Sequence, residues 1–164
     1  MTYIYHYTSP LGGIALASDG AALTGLWFDG QKYYADTLGS EKTECDLPVF
    51  RQTVRWLDIY FSGKAPGFTP QLSLRTTPFR REVCDIMLTI PFGQTVTYGW
   101  IAEIMAKQRG IGRMSAQAVG GAVGHNPVSI IIPCHRVVGS DGSLRGYAGG
   151  LDKKAALLKL EKAL

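Results

Sequence analysis

Three features of the sequence predict an α+β fold in two parts. A small N-terminal mixed α/β domain is followed by a mostly helical C-terminal domain containing a helix-turn-helix. The first feature is apolar alternation at period 2 through residues 3–28, which marks strands. The second is the Gly- and Pro-rich stretch Ser62-Gly63-Lys64-Ala65-Pro66-Gly67-Phe68-Thr69-Pro70, which reads as a linker. The third is a succession of capped, helically periodic segments beyond it. With 164 residues, 46% hydrophobic and 18% charged, the chain can bury a core and is too apolar for disorder. The expected domains are 1–70, linker included, and 71–164.

Residues 3–8, 13–18 and 22–28 read as strands, with Tyr3, Tyr5 and Tyr7 alternating with Ile4 and His6. Asp19-Gly20 reads as a hairpin turn, and Asp29-Gly30 ends the third strand. Residues 31–46 are polar and read as irregular. Phe50, Val54, Leu57 and Phe61 recur at helical spacing, which predicts an amphipathic helix over 48–62. Pro48 stands near its start, where proline is tolerated. His6 and Cys45 read as structural. Residues 71–76 read as a short extended segment.

Thr77-Pro78 is an N-cap followed by proline at the first helical position. Phe79, Val83, Ile86, Met87 and Ile90 form the stripe behind it, and Pro91-Phe92-Gly93 stops the helix. Thr97 caps a second helix, with Ile101, Ile104 and Met105 inward. Gly110-Ile111-Gly112 is a turn, and Ser115 caps a third helix over 116–125. Two short helices around a Gly-containing turn make the helix-turn-helix. The third helix contains Gly120, Gly121 and Gly124, each costing about 1 kcal/mol against alanine. Such small residues serve either tight helix packing or close approach of another backbone. Asn126-Pro127 breaks this helix. Further on, Gly139-Ser140-Asp141-Gly142 predicts a hairpin turn and 146–150 a glycine-rich loop. Lys153 to Leu164 reads as a closing helix, with Leu157, Leu158 and Leu160 apolar and Glu161 near its end.

The centre of the second half is Ile130-Ile131-Ile132-Pro133-Cys134-His135-Arg136-Val137-Val138. The β-branched run predicts a buried strand, which Pro133 ends. Cys134 then stands at the strand's exit. His135 and Arg136 beside it favour the thiolate, the nucleophilic form. Residue type leaves two readings open, a buried core cysteine and a nucleophile.

Other classes are excluded. No apolar run reaches membrane-spanning length. Met1-Thr2-Tyr3-Ile4-Tyr5 lacks the basic and apolar blocks of an export signal. Cys45, Cys84 and Cys134 have unrelated spacings, so a reducing cytoplasm is expected and a disulfide scaffold is not. No CxxC or HxxxH pair suggests a metal. Residues 1–75 carry 6 basic and 7 acidic side chains, and residues 76–164 carry 11 and 6. The basic excess is compatible with a phosphate-backbone partner, but alone it reads as a solvated surface.

Ile132-Pro133-Cys134-His135-Arg136-Val137-Val138, preceded by Asn126-Pro127 and followed by Gly146-Tyr147-Ala148-Gly149-Gly150-Leu151, resembles the O6-alkylguanine-DNA alkyltransferases. The match spans about residues 76–161. The resemblance implies a winged-helix-like DNA-binding architecture for the second domain. It implies single-turnover transfer of an alkyl group from O6-alkylguanine in DNA to Cys134, and leaves O4-alkylthymine open as a second substrate. His135 would activate Cys134 through a water, Glu161 would orient His135, and Tyr98 would protonate the leaving guanine. Asn126 would be the hinge between recognition helix and active-site segment. Pro133, Val123, Tyr147, Ala148 and Gly149 would line the pocket. Thr97, Gln117, Ala118, Gly120, Gly121 and Gly124 would face the DNA. No cofactor is implied. The implied partner is double-stranded DNA, bound as a monomer in the minor groove with little sequence specificity.

The chemistry suits those residue types. Thiolate is the best side-chain nucleophile for an alkyl carbon, and a thioether product has no route to hydrolysis here. Cys134 and His135 are adjacent, and on an extended segment their side chains point to opposite faces, so a water between them is expected. The lesion must leave the stack to reach the thiol. Two positions depart from the family pattern. Gln117 stands where an arginine usually fills the gap left by the flipped base, and Arg113 is the nearby cation that could supply the charge. Ala148 stands where many relatives have serine. Three other readings compete. A lesion-binding relative without transfer would lack Cys134. A cysteine hydrolase would keep its histidine distant in sequence. A transcription factor would need more base-reading side chains than Gly, Ala and Val supply.

Overall fold

The computed structural model of the chain describes residues 1–31 and 42–164. Backbone contacts divide it into two compact units. One is Met1–Arg75 with Pro127–Ile131, and the other is Thr76–Asn126 with Ile132–Leu164.

The first unit is built on a four-stranded sheet in the order β3-β2-β1-β4. Its strands are β1 (Thr2–Ser9), β2 (Gly12–Ser18), β3 (Leu23–Phe28) and β4 (Lys42–Glu44). β1, β2 and β3 form an antiparallel meander in which Tyr5 faces Leu16 and Leu16 faces Leu26. The Asp19-Gly20 turn forms as expected, with Asp19 Oδ1 accepting from the amides of Ala21 and Ala22. β4 pairs in parallel with β1, so part of the segment read as irregular is a strand. Its polar residues hide it, because an edge strand exposed to water carries little apolar alternation. The rest of that segment, 32–41, lies outside the described residues.

α1 (Pro48–Phe61) starts with proline at its first position. Its buried face is Val49, Phe50, Thr53, Trp56, Leu57 and Tyr60, so Val54 and Phe61 lie only at the margin of the stripe. Thr53 enters this core because its hydroxyl donates to Val49 O at 2.7 Å. Leu23 N–H donates to Gln71 O and Ser73 N–H to Leu23 O, which ties the extended segment after the linker to this unit. Pro127–Ile131 belongs here for the same reason. Leu26 N–H donates to Pro127 O at 2.9 Å and Ser129 N–H to Leu26 O at 3.0 Å.

The second unit contains α2 (Pro78–Met87), β5 (Val96–Thr97), α3 (Tyr98–Arg109), α4 (Ala116–Gly124), β6 (Val137–Val138) and α5 (Leu151–Leu160). The three expected caps are in place. Thr77, Thr97 and Ser115 accept from the amides of Arg80, Trp100 and Ala118. α3 ends at Gly110, whose φ of 64° glycine adopts without strain. β5 and β6 pair in parallel. The 139–142 turn closes, with Gly142 N–H donating to Gly139 O, but no strand returns from it. The closing helix begins at Leu151 and ends at Leu160, earlier at both ends than its apolar pattern suggests, and Glu161 is its C-cap.

Candidate active site

The segment leading to Cys134 is not a strand. Ile130, Ile131 and Ile132 are buried, but the backbone turns twice. Ile131 N–H donates to Ser129 O across Ile130, which has φ 71°. A positive φ at a β-branched residue is a strained conformation that the surroundings must hold in place. Cys134 N–H then donates to Ile132 O across Pro133 at φ −82° and ψ 64°, an inverse γ-turn that proline's fixed φ suits. The apolar run therefore reports burial and not a ladder.

Cys134 opens one turn of 3-10 helix, Cys134–Arg136. The alternation expected of an extended chain does not apply here. The turn sends His135 and Arg136 to a shared partner, the buried carboxylate of Glu161. His135 Nε2 lies 2.5 Å from Glu161 Oε2, and Arg136 Nε donates to Oε1 at 2.8 Å. Arg136 Nη2 adds a 3.2 Å bond to Oε2, and the Gly93 amide donates to Oε1 at 2.9 Å. Arg136 Nη1 is spent on Ile90 O at 2.7 Å. Burial pushes the Glu161 carboxyl up, but the bonds from His135, Arg136 and Gly93 outweigh it and bring its pKa to about 2.

These partners fix the state of His135. Burial is the largest influence on the ring and lowers its pKa, against the pull of Glu161. The neutral ring carries its proton on Nε2, facing the carboxylate, which makes Nδ1 the acceptor nitrogen. The expectation that His135 and Arg136 favour the thiolate by adjacency needs correction. Arg136 is committed to Glu161. Cys134 is 5% exposed, and burial raises its pKa. What opposes burial is a hydrogen bond from the Asn126 side chain, the charge of Lys154, and the amides of Cys134 and His135.

Asn126 also donates from Nδ2 to Ile132 O at 2.7 Å, so it grips both ends of the inverse γ-turn. The Tyr98 hydroxyl donates to Arg145 O at 3.0 Å. Its pKa is raised by burial first and then by the nearby Cys134 charge. Tyr147, Ala148 and Gly149 are half-buried in the 146–150 loop. Lys154 is buried, and its Nζ donates to Val137 O and to Arg145 O, both at 2.6 Å.

The structure thus gathers Cys134, His135, Glu161, Tyr98 and Asn126 in the second unit. The remaining expected positions divide by burial. On α4, Val119, Ala122 and Val123 face the core, while Gln117, Ala118 and Gly121 are exposed. A side chain at Gly121 or Gly124 would meet nothing within 4 Å, and one at Gly120 would make ordinary contact with Tyr98. Tight packing therefore does not explain these glycines. Arg113 is exposed and precedes α4, and Thr97 spends its hydroxyl as the α3 cap.

Lys154, the carboxylate-binding role of Arg136 and the Gly93 amide escaped sequence reasoning. Lys154 left a trace. Lys154, Leu157, Leu158 and Glu161 stand at i, i+3, i+4 and i+7, so a lysine and a glutamate occupy the buried stripe of the last helix. Among the described residues no group of three or more His, Cys, Asp or Glu could hold a metal ion.

Residues 78–163 match the DNA binding domain of 6-O-methylguanine DNA methyltransferase, and residues 2–74 match its ribonuclease-like domain. The methylated-DNA–protein-cysteine methyltransferase of Mycobacterium tuberculosis is 43% identical over 155 residues, covering 94% of this chain and 89% of that protein. Its counterpart from Methanosarcina barkeri is 44% identical over 158 residues, covering 94% and 93%. The crystal structure of M. tuberculosis O6-methylguanine methyltransferase matches with a TM-score of 0.83 and 43% identity, over 99% of this chain and 94% of that one. The M. tuberculosis OGT in complex with DNA also gives 0.83, at 42% identity over 98% and 93%. Both halves match in sequence order and almost end to end, and the chain therefore belongs to the 6-O-methylguanine DNA methyltransferase family.

Proposed function

We propose that this chain repairs DNA by moving the alkyl group of an O6-alkylguanine onto its own Cys134, once per molecule. The carrying observation is the thiol on a turn whose next side chain is a neutral histidine held by a buried carboxylate. The alkyl carbon–O6 bond breaks as the sulfur–carbon bond forms. The thiol proton passes through water to His135 Nδ1, and Glu161 stabilises the imidazolium. Guanine takes a proton from Tyr98, whose hydroxyl exchanges Arg145 O for the base. The proton gained by His135 balances the one lost by Tyr98 and returns through solvent. The thioether has no route back to a thiol, so the protein is consumed.

The exposed face of α4 is the surface offered to DNA. Its small residues support close approach in the minor groove, where base readout is degenerate. The lesion is extruded, because Cys134 cannot enter a stacked duplex. Gln117 fills the vacated space, with Arg113 before the helix as the second candidate. Tyr147, Ala148, Gly149, Pro133 and Val123 form the pocket. The protein acts as a monomer in the cytoplasm, a reducing compartment that suits three free cysteines.

The test is mass spectrometry after mixing the protein with duplex DNA containing O6-methylguanine. One methyl group on the Cys134 peptide is expected. Turnover of excess substrate, or labelling at Cys45 or Cys84 instead, contradicts the reading.

A further inference from the structure

We infer that Lys154 is a positioning residue of this site, the counter-charge to the Cys134 thiolate and the clasp that holds the pocket loop to Tyr98. Lys154 is fully buried on α5. Its ammonium has three donors, and two go to the uncharged acceptors Val137 O and Arg145 O. Among the described residues no carboxylate lies within ion-pair distance of it. A buried cation whose hydrogen bonds go to uncharged carbonyls is costly unless an anion answers it.

The groups around Lys154 narrow the choice of anion. Cys134 and His135 come from the 3-10 turn, Arg145 from the loop and Tyr98 from α3, with Glu161 two turns along α5. Glu161 is taken by His135, Arg136 and Gly93. His135 and Arg145 offer no negative charge, and Tyr98 donates its proton to a carbonyl. Cys134 is left. The connection is short, since Val137 binds the ammonium through its carbonyl and Cys134 O through its amide. The influence is mutual. The Cys134 charge raises Lys154, whose pKa burial has brought down to about 8, and Lys154 lowers Cys134.

The clasp is the second half of the role. One carbonyl, Arg145 O, receives both Lys154 Nζ and the Tyr98 hydroxyl. Nζ lies 5.9 Å from the centre of the Tyr98 ring. Lys154 therefore ties the start of β6, which follows the turn bearing the thiol, to the loop beside Tyr147.

The use made of this pair rests on the alkyl-transfer reading, but its existence does not, and the first measurement addresses existence. NMR of isotope-labelled lysine would follow the Lys154 ammonium through a pH titration of the wild type and of Cys134→Ser. If the thiolate answers the ammonium, Lys154 loses its proton at lower pH in Cys134→Ser. Superimposable titrations would overturn the proposal, and this comparison keeps Lys154 intact. The second measurement is ultraviolet thiolate absorbance of folded Lys154→Met, with Cys134→Ser subtracted. About tenfold less thiolate at a given pH is expected, equivalent to one pKa unit. The rate with free O6-benzylguanine should fall in parallel, with its pH profile moved upward. Unchanged thiolate titration in folded Lys154→Met would overturn the charge pair. A wild type that gains no methyl group from duplex O6-methylguanine yet shows both shifts would refute alkyl transfer and leave the pair standing.

Discussion

Glu161 shows how much one buried carboxylate can organise. Both its oxygens accept two bonds, from His135, Arg136 and the Gly93 amide. Glu161→Gln keeps the shape but leaves Arg136 buried without its counter-charge. Breaking one side of a buried pair costs about 3–5 kcal/mol, so chemical denaturation should show a loss of that order. The pH dependence has a defined direction. The Glu161 carboxyl titrates at about 2 in the fold against an ordinary 4.5, so folding favours the ionised form. Its stabilisation is complete above the ordinary value and disappears as pH falls from 4.5 toward 2. Acid unfolding of the wild type should therefore steepen in that window, and Glu161→Gln should lack this component. In transfer assays His135 and Glu161 should behave as one unit. The double replacement should slow the reaction little more than the worse single one, whereas additive losses would contradict the relay.

At the scale of the element, α4 combines a sound cap with a weak interior. Ser115 holds the Ala118 amide at 3.1 Å, while Gly120, Gly121 and Gly124 lower the propensity of the helix behind it. Gly121 is exposed, and a side chain there would meet no atom within 4 Å. Gly121→Ala should accordingly raise stability by up to about 1 kcal/mol in thermal unfolding. Gly121→Leu should also fold. It should weaken DNA binding, because a larger side chain keeps the backbone away, and leave the reaction with free O6-benzylguanine largely intact. Equal DNA affinity for Gly121→Leu would move the interface off this face. Gln117→Arg examines the neighbouring exposed position. Repair of duplex DNA should be preserved or improved and the free-base reaction hardly altered. A large loss of duplex repair in the folded variant would favour Arg113 as the residue that fills the gap.

For the whole molecule, charge is divided as the two halves are divided. Residues 1–75 hold 6 basic against 7 acidic side chains, and residues 76–164 hold 11 against 6. An interface on the basic half binds chiefly through phosphates, so affinity should fall linearly on a plot of log K against log salt. It should differ little among duplexes of unrelated sequence, because phosphate contacts carry no sequence information. Binding titrations at several salt concentrations would check both. A salt-independent affinity, or strong preference for one sequence, would point to base readout that α4 lacks the side chains to perform.

Much of this protein was determined by its sequence alone. The meander of β1 to β3 and the three capped helices are local patterns, set by turn chemistry, capping and periodicity within a few residues, whereas the Pro-Cys-His-Arg segment was legible through its resemblance to a family. The tertiary structure decided what those patterns leave undefined. The isoleucine run is a pair of γ-turns because hydrophobicity specifies burial and carries no information on backbone direction. β4 is a strand only because β1 offers an edge. Arg136 faces Glu161 and not the adjacent thiol because a 3-10 turn, unlike a strand, carries successive side chains round an axis. Lys154 joins the site because burial of the α5 stripe brings a residue twenty positions beyond Cys134 to the carbonyl of Val137. Charge strength follows the same division. Ionisable residue types are written in the sequence, but burial and partners, which set the pKa values of Cys134, His135 and Glu161, exist only once distant segments have packed.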